Sequence, residues 1–117
     1  MIIACNSAST VFLDEDNYQK IPLLNVIGPG SEAALKVSQD KKIAVLGTAA
    51  TIRSHAYRDT LQRLSPGVTV IEQACPLLVP LVEEGFVQDP ITESILERYL
   101  LSIKQDKIKT VILGCTH

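Results

Sequence analysis

The stretch Ile43-Ala44-Val45-Leu46-Gly47-Thr48 decides the fold class of this chain. Its first four residues are apolar without a break, which is typical of a strand that is buried on both faces of a parallel sheet. The apolar residues that follow over Thr51–Leu64 have helical spacing, and the pattern stops at Ser65-Pro66-Gly67. A buried strand followed by an amphipathic helix predicts one unit of an α/β fold.

The same alternation of strand and helix continues along the chain. We predict a helix over Ser31–Ser38 with Ser31 as its N-cap, and a last helix that begins at Asp89-Pro90. Pro80 interrupts the apolar stretch after Cys75, so we expect short turns or a kink there. The further strand candidates are Met1–Ala4, Leu23–Ile27, Val68–Ile71 and Thr110–Leu113. We therefore predict a single α/β domain over residues 1–117, with a parallel sheet and flanking helices.

Composition excludes several classes of partner. The 117 residues carry a net charge of −2 and only 4% are aromatic, which gives no electrostatic or stacking basis for binding nucleic acid. The apolar runs are too short to cross a membrane, and signal-peptide features are absent. No C-x-x-C pair is present, so no metal site is predicted. We expect a cytoplasmic protein whose three cysteines are free thiols and whose partners include neither nucleic acid nor membrane.

Two cysteines occupy matching positions near the two ends of the chain. Cys5 follows the strand candidate Met1–Ala4, and Cys115 follows Thr110–Leu113 after a single glycine. Open parallel sheets place their sites at the carboxyl ends of the strands. A matched pair of thiols at that edge suggests acid/base chemistry on the two faces of one substrate carbon.

Four motifs in a fixed order allow a family resemblance to be stated. They are Cys5-Asn6-Ser7-Ala8-Ser9, the run Gly47–Tyr57, the proline-containing run Ala74–Gly85, and Leu113-Gly114-Cys115-Thr116-His117. Together they resemble the glutamate racemases of the cofactor-independent aspartate/glutamate racemase superfamily. The resemblance covers essentially the whole chain, and it implies the central domain of a two-domain α/β fold.

The resemblance implies inversion of the α-carbon of glutamate, without pyridoxal phosphate or a metal, to supply D-glutamate for peptidoglycan. A free thiol has a pKa of about 8.5, so a thiolate base near neutral pH needs stabilising neighbours. By resemblance Cys5 and Cys115 are the acid/base pair, and His117 assists the second thiol. The residues that match the family's substrate-binding positions are Asn6, Ser7, Thr48, Thr51 and Thr116.

Other interpretations of single residues stay open at this stage. Thr51 can be a simple helix cap, and His117 can be an exposed terminal histidine. The third cysteine, Cys75, precedes a proline and is interpreted as structural. His55 is expected on the solvated face of a helix, and Glu83 either lines the cleft or lies on a solvated helix end.

The sequence also departs from the family pattern. The Asp-Ser-Gly segment that normally precedes the first cysteine motif is not present, nor are the residues that normally follow Gly-Cys-Thr-His. We therefore expect a core at about 21–104, with residues 1–20 and 105–117 as edges of a second domain. The strands that lead to Cys5 and Cys115 are expected to be disordered or to pair outside this core, including between two copies as a homodimer. The isolated chain is expected to be weakly active or inactive.

Three alternatives to glutamate racemase remain. One is an aspartate racemase or another two-thiol isomerase, which parallel assays of both amino acids would separate from it. A second is a non-catalytic module that binds a small dicarboxylate or mediates association. A redox-sensing thiol protein is disfavoured, because no resolving cysteine lies close in sequence.

Overall fold

The computed structural model describes residues 1–117, which contain seven strands and six helices. The first part of the chain contains β1 (Ile2–Ile3), α1 (Asn6–Ser9), β2 (Asn17–Tyr18), β3 (Ile21–Pro22), β4 (Leu24–Asn25) and α2 (Ile27–Val37). The second part contains β5 (Lys42–Gly47), α3 (Ala49–Arg53), α4 (Ala56–Leu64), β6 (Thr69–Ala74), α5 (Leu78–Glu83), α6 (Pro90–Gln105) and β7 (Thr110–Gly114).

The main sheet has three parallel strands in the order β6-β5-β7. Strand β5 lies in the middle and is buried from Ile43 to Gly47, as its unbroken apolar sequence predicts. The register pairs Gly47 with Ala74 on one side and with Gly114 on the other. The carboxyl ends of all three strands are therefore level, and the loops that follow them lie side by side.

Helices cover both faces of this sheet. On one face α2 and α4 enclose a core that contains Ile27, Val45, Leu61 and Ile112. On the other face Ile103 of α6 packs in a smaller cluster around Ala44 and Leu46. The predicted α/β class with a parallel sheet and flanking helices is confirmed. None of the helices combines the length and the apolar character needed to cross a membrane.

The first part of the chain forms two small ladders beside the main sheet. Strand β1 pairs with β4 in parallel, with Ile2 opposite Leu24. Strands β2 and β3 form an antiparallel hairpin. The turn residues Gln19 and Lys20 both have positive φ, of 49° and 69°. Such a turn usually carries glycine or asparagine, so no residue pattern predicts this hairpin.

Strand β7 corrects one expectation. The strand that leads to Cys115 does not pair outside the core; it is hydrogen-bonded to β5 along its whole length. Its Ile112 is 8% exposed and belongs to the main core, so the sheet needs this strand to complete its apolar contacts. The strand that leads to Cys5 likewise pairs within the chain, with β4. The wider expectation that residues 1–20 and 105–117 border a second domain stays a prediction.

Helix α2 begins earlier than the sequence predicted. The strand candidate Leu23–Ile27 is extended only at Leu24–Asn25, and Ile27 is already helical. The Asn25 side-chain oxygen accepts hydrogen bonds from the backbone N–H groups of Ile27, at 3.0 Å, and Gly28. That contact starts the helix, so Ser31 is not the predicted N-cap but a fully buried residue inside it.

The predicted helix Thr51–Leu64 is two helices. The chain breaks between α3 and α4 at His55, which adopts a left-handed conformation with φ of 55°. His55 Nδ1 lies 2.7 Å from Glu72 Oε2 on β6. His55 therefore does not lie on a helical face, because it forms the joint between the two helices and contacts the sheet.

The last two helices agree with the sequence. The side chain of Asp89 accepts a hydrogen bond from the Ile91 N–H at 2.8 Å, and Pro90 occupies the first turn of α6. Helix α5 spans only six residues and contains Pro80 in its first turn. The proline needs no N–H partner at that position.

Candidate active site

Three hydroxyl groups meet beyond the carboxyl end of β5. Ser7 Oγ lies 2.8 Å from Thr48 Oγ1 and 2.9 Å from Thr51 Oγ1, and the two threonine oxygens are 3.1 Å apart. Thr48 also caps α3, because its hydroxyl accepts the Thr51 N–H at 3.2 Å. Thr51 is 1% exposed, so its hydroxyl depends on these partners. The predicted residues Ser7, Thr48 and Thr51 therefore form one cluster.

Cys5 lies at the start of α1, where it is exposed. Its Sγ accepts the backbone N–H of Ala8 at 3.5 Å, in the geometry of an N-cap. The buried Ser9 fixes this short helix, since its hydroxyl donates to the Ile3 carbonyl at 3.0 Å and accepts the Val26 N–H. The thiol is thus held at a defined point beyond β1.

The side chain of Asn6, next to Cys5, is buried and has one side-chain partner. The Tyr57 hydroxyl on α4 donates a hydrogen bond to Asn6 Oδ1 at 2.5 Å. Both residues are buried, and burial raises the pKa of Tyr57 above its ordinary value. This contact joins the first cysteine loop to the core beneath the main sheet.

Cys115 lies on the wall of a cavity of about 110 Å³ between the ends of β5 and β7 and helix α5. Of the predicted residues, Thr48, Cys115 and His117 line it; the other lining residues are Leu46, Gly47, Cys75, Leu78, Val79, Leu113 and Gly114. Thr48 thus contacts Ser7 of the first cysteine loop and also borders the cavity of the second thiol. Cys5 does not line this cavity.

His117 makes a side-chain contact that the sequence left open. Its Nε2 lies 3.2 Å from Glu83 Oε1, at the end of α5, and both side chains are about half exposed. Glu83 does not line the cavity of Cys115; its exposed side chain at the solvated end of α5 faces His117. Thr116 is exposed, and its only side-chain contact is with His117 Nδ1 at 3.4 Å. The structure does not bring Thr116 to the hydroxyl cluster.

Cys75 is buried beside the same cavity. Its backbone N–H donates to the Gly47 carbonyl at 2.8 Å, and its Sγ donates to the Gln73 carbonyl at 3.6 Å. Burial raises the pKa of the Cys75 thiol, so it stays protonated where a free cysteine begins to ionise. These contacts fit the structural role that the sequence predicted.

Comparisons with known proteins decide the family. The profile of the Asp/Glu/Hydantoin racemase family matches residues 1–117. The chain belongs to this family. It is 45% identical to the glutamate racemase of Sulfurihydrogenibium sp. (strain YO3AOP1) over 118 residues, which are 100% of this chain and 45% of that protein.

Solved structures of racemases give the same result. The fold matches the glutamate racemase isoform RacE1 of Bacillus anthracis with a TM-score of 0.88 and 37% identity, covering 99% of this chain and 44% of that one. The glutamate racemase of Francisella tularensis, solved in complex with D-glutamate, matches with a TM-score of 0.88 and 35% identity, over 99% of this chain and 44% of its own. This racemase-family chain therefore spans less than half the length of these relatives.

Sequence reasoning missed the contact between Tyr57 and Asn6. The ring of Tyr57 fits the apolar side of the helical pattern over Thr51–Leu64, but its hydroxyl contacts a residue 51 positions away. No local pattern reports a contact of that range. The tyrosine lies at the end of the Gly47–Tyr57 motif, and that is the one sequence signal that could have drawn attention to it.

Proposed function

We propose that this chain is the part of a glutamate racemase that carries both acid/base thiols, Cys5 and Cys115. The observation that carries the proposal is the position of Thr48, which hydrogen-bonds Ser7 of the first cysteine loop and borders the cavity of Cys115. Two loops that both lie beside Thr48 can act on one small substrate. The identity of 45% with a glutamate racemase supports glutamate as that substrate.

The proposed reaction is a proton exchange on two faces of one carbon. One thiolate accepts the α-proton of glutamate, which leaves the electron pair delocalised into the α-carboxylate. The opposite thiol then donates its proton to the other face, and the charge moves to that sulfur. A bound glutamate reacts faster because it is held between the two thiols, since orientation supplies much of the rate in such steps.

The neighbouring groups have separate roles in this proposal. The hydroxyls of Ser7, Thr48 and Thr51 are donors of the kind that a substrate carboxylate requires. The Ala8 N–H donates to Cys5 Sγ and holds that sulfur at the start of α1. His117 assists Cys115, and its contact with Glu83 fixes the orientation of the imidazole. Asn6 and Thr116 complete the predicted substrate contacts.

The cellular setting is part of the proposal as well. We propose that the product D-glutamate supplies peptidoglycan synthesis and that the protein acts in the cytoplasm. The cytoplasm is supported by the three cysteines, all of which are free thiols. The Francisella relative is a complex with D-glutamate, which supports a small-molecule substrate for this chain too. A homodimer stays a prediction that analytical ultracentrifugation would test.

A chimera tests the proposed substrate. Residues 1–117 replace the matching 45% of the Sulfurihydrogenibium enzyme, so that the rest of that protein supplies the remaining parts of a complete racemase. We expect circular dichroism to show conversion of L-glutamate to D-glutamate and at least 100-fold less conversion of L-aspartate. That ratio of rates corresponds to a difference of about 3 kcal/mol in activation free energy. Equal rates for both amino acids would contradict the assignment to glutamate.

A further inference from the structure

Tyr57 hydrogen-bonds the first cysteine loop and lies beside Gly114, which precedes the second, although it belongs to neither loop. It is the second residue of α4, is 3% exposed, and packs in the main core with Val45 and Ile112. Its hydroxyl group donates a hydrogen bond to Oδ1 of Asn6, the residue directly after Cys5. A phenol ring in a packed core has little rotational freedom, so the position of its hydroxyl is fixed by the fold.

The Asn6 carboxamide has a defined orientation in this hydrogen bond. A carboxamide presents an oxygen acceptor at one end and an NH₂ donor at the other, and rotation by a half-turn exchanges them. In the structure Asn6 Oδ1 faces the Tyr57 hydroxyl, which leaves the NH₂ group of Asn6 for another partner. A donor directly beside Cys5 is the end that an anionic carboxylate would bind.

The ring of Tyr57 reaches the second cysteine loop. A methyl group built on Gly114 would lie 3.4 Å from Tyr57 Cε2, and one built on Gly30 would lie 3.6 Å from Tyr57 Cε1. The ring edge therefore occupies space that these two glycines leave open. Gly114 directly precedes Cys115, so the ring limits where the second thiol loop can lie.

The geometry points to Tyr57 as a positioning residue for the racemase site, which orients the Asn6 carboxamide toward the substrate carboxylate and holds the two cysteine loops in one arrangement. This role rests on the proposed function for its substrate, but the orientation of Asn6 is a property of the protein alone. Burial raises the pKa of Tyr57, so its hydroxyl stays a donor throughout the neutral range.

The first test measures the order of the Asn6 side chain by ¹⁵N relaxation of its NH₂ group in the 117-residue chain. Tyr57→Phe removes the hydroxyl and keeps the ring. We expect the Asn6 NH₂ order parameter to fall from a value typical of rigid groups to below about 0.6. Tyr99→Phe is the matched control, because it removes a phenol hydroxyl that contacts the Leu77 N–H away from Asn6. An unchanged Asn6 order parameter in Tyr57→Phe would overturn the inference.

The second test measures D-glutamate affinity by NMR titration in the Sulfurihydrogenibium chimera described above. We expect Tyr57→Phe to weaken binding about tenfold, as for loss of one donor to a charged group, with Tyr99→Phe unchanged. In an Asn6→Ala background Tyr57→Phe should have no further effect, because a positioning residue acts only through its partner. An equal loss with and without Asn6 would indicate a general packing role and contradict the inference. Absence of glutamate binding by the unmodified chimera counts against the proposed function, while the order parameter still decides the role of Tyr57.

Discussion

At the scale of single residues, two facing glycines set how closely the strands approach at the site. Gly47 of β5 is paired with Gly114 of β7. A methyl group on Gly114 would lie 2.8 Å from the Leu46 carbonyl oxygen, and one on Gly47 would lie 3.3 Å from the Gly114 carbonyl oxygen. The obstructing atoms belong to the backbone of neighbouring strands, so they cannot move aside without disturbing the sheet.

Gly114→Ala should therefore destabilise the chain. We expect a loss of about 1–3 kcal/mol in the free energy of unfolding, as for other overpacked positions, measured by urea denaturation. Gly28→Ala is the control, because a methyl group there has no atom within 4 Å and Gly28 lies within α2. It should instead stabilise the chain by about 0.4–1 kcal/mol. Equal effects of the two substitutions would refute the packing argument.

Thr51 offers a second prediction at this scale. Thr51→Val keeps the shape of the side chain and removes the buried hydroxyl that contacts Ser7 and Thr48. We expect unfolding to become easier by about 1–2 kcal/mol, because its two partners lose a hydrogen bond. Thr69→Val, at an exposed position on β6, should change stability by less than about 0.5 kcal/mol. Thermal unfolding of both variants measures these changes in stability. An unchanged stability in Thr51→Val would show that the hydroxyl cluster does not stabilise the fold.

The sequence predicted the members of the hydroxyl cluster but not the residues that hold the neighbouring groups. Thr48 and Thr51 follow β5 and so lie at its carboxyl end, whereas Ser7 follows β1, which lies in a separate ladder, and was predicted from its motif. Tyr57 and Glu83 act through contacts with residues 51 and 34 positions away, at Asn6 and His117. Such contacts depend on how the helices pack, which no local pattern contains.

At the scale of elements, strand β7 packs only one of its two faces in the core. Ile112 is 8% exposed and packs in the main core, whereas Val111 and Leu113 are 40% and 74% exposed. The sequence Val111-Ile112-Leu113 is continuously apolar and therefore predicts burial on both faces. The strand itself was predicted correctly, but its exposed face was not.

This asymmetry predicts unequal effects of truncation along β7. Ile112→Ala should cost about 2–4 kcal/mol in stability, because it leaves a cavity in the main core. Val111→Ala, on the adjacent residue, should cost less than about 1 kcal/mol. Chemical denaturation of the two variants measures both values. A larger loss for Val111→Ala would mean that the register of β7 is shifted by one residue.

Element boundaries were predicted well where a cap was visible in the sequence and poorly where a distant side chain set them. Asp89-Pro90 marked the start of α6, and the cap is formed as expected. The break between α3 and α4 depends on the contact of His55 with Glu72, and the start of α2 depends on Asn25. Helical periodicity continues through such a break, so the pattern alone predicted one helix.

At the scale of the whole molecule, two buried titratable groups predict how stability depends on pH. Burial raises the pKa of both Cys75 and Tyr57 in the folded chain. In the unfolded chain these groups ionise near their ordinary values of about 8.5 and about 10. Above those values the folded state binds more protons than the unfolded state, so the free energy of unfolding must fall as pH rises.

We therefore expect stability to be insensitive to these two groups below about pH 8 and to decline from about pH 8.5 upward. Urea denaturation at several pH values measures the slope. Tyr57→Phe should flatten the decline near pH 10, whereas Tyr18→Phe, which alters an exposed tyrosine, should not. An identical alkaline slope in both variants would show that Tyr57 titrates normally in the folded chain.

The measurement that tests the central claim most directly is solvent deuterium exchange at the α-carbon of glutamate, followed by NMR in the Sulfurihydrogenibium chimera. We predict exchange in the chimera, and its reduction by at least 100-fold in both Cys5→Ser and Cys115→Ser, with Cys75→Ser close to the unmodified chimera. Circular dichroism must show that each variant is folded. Exchange that persists after substitution of Cys5 and Cys115, or a folded chimera that exchanges no α-hydrogen, would contradict the assignment of these two thiols as the acid/base pair.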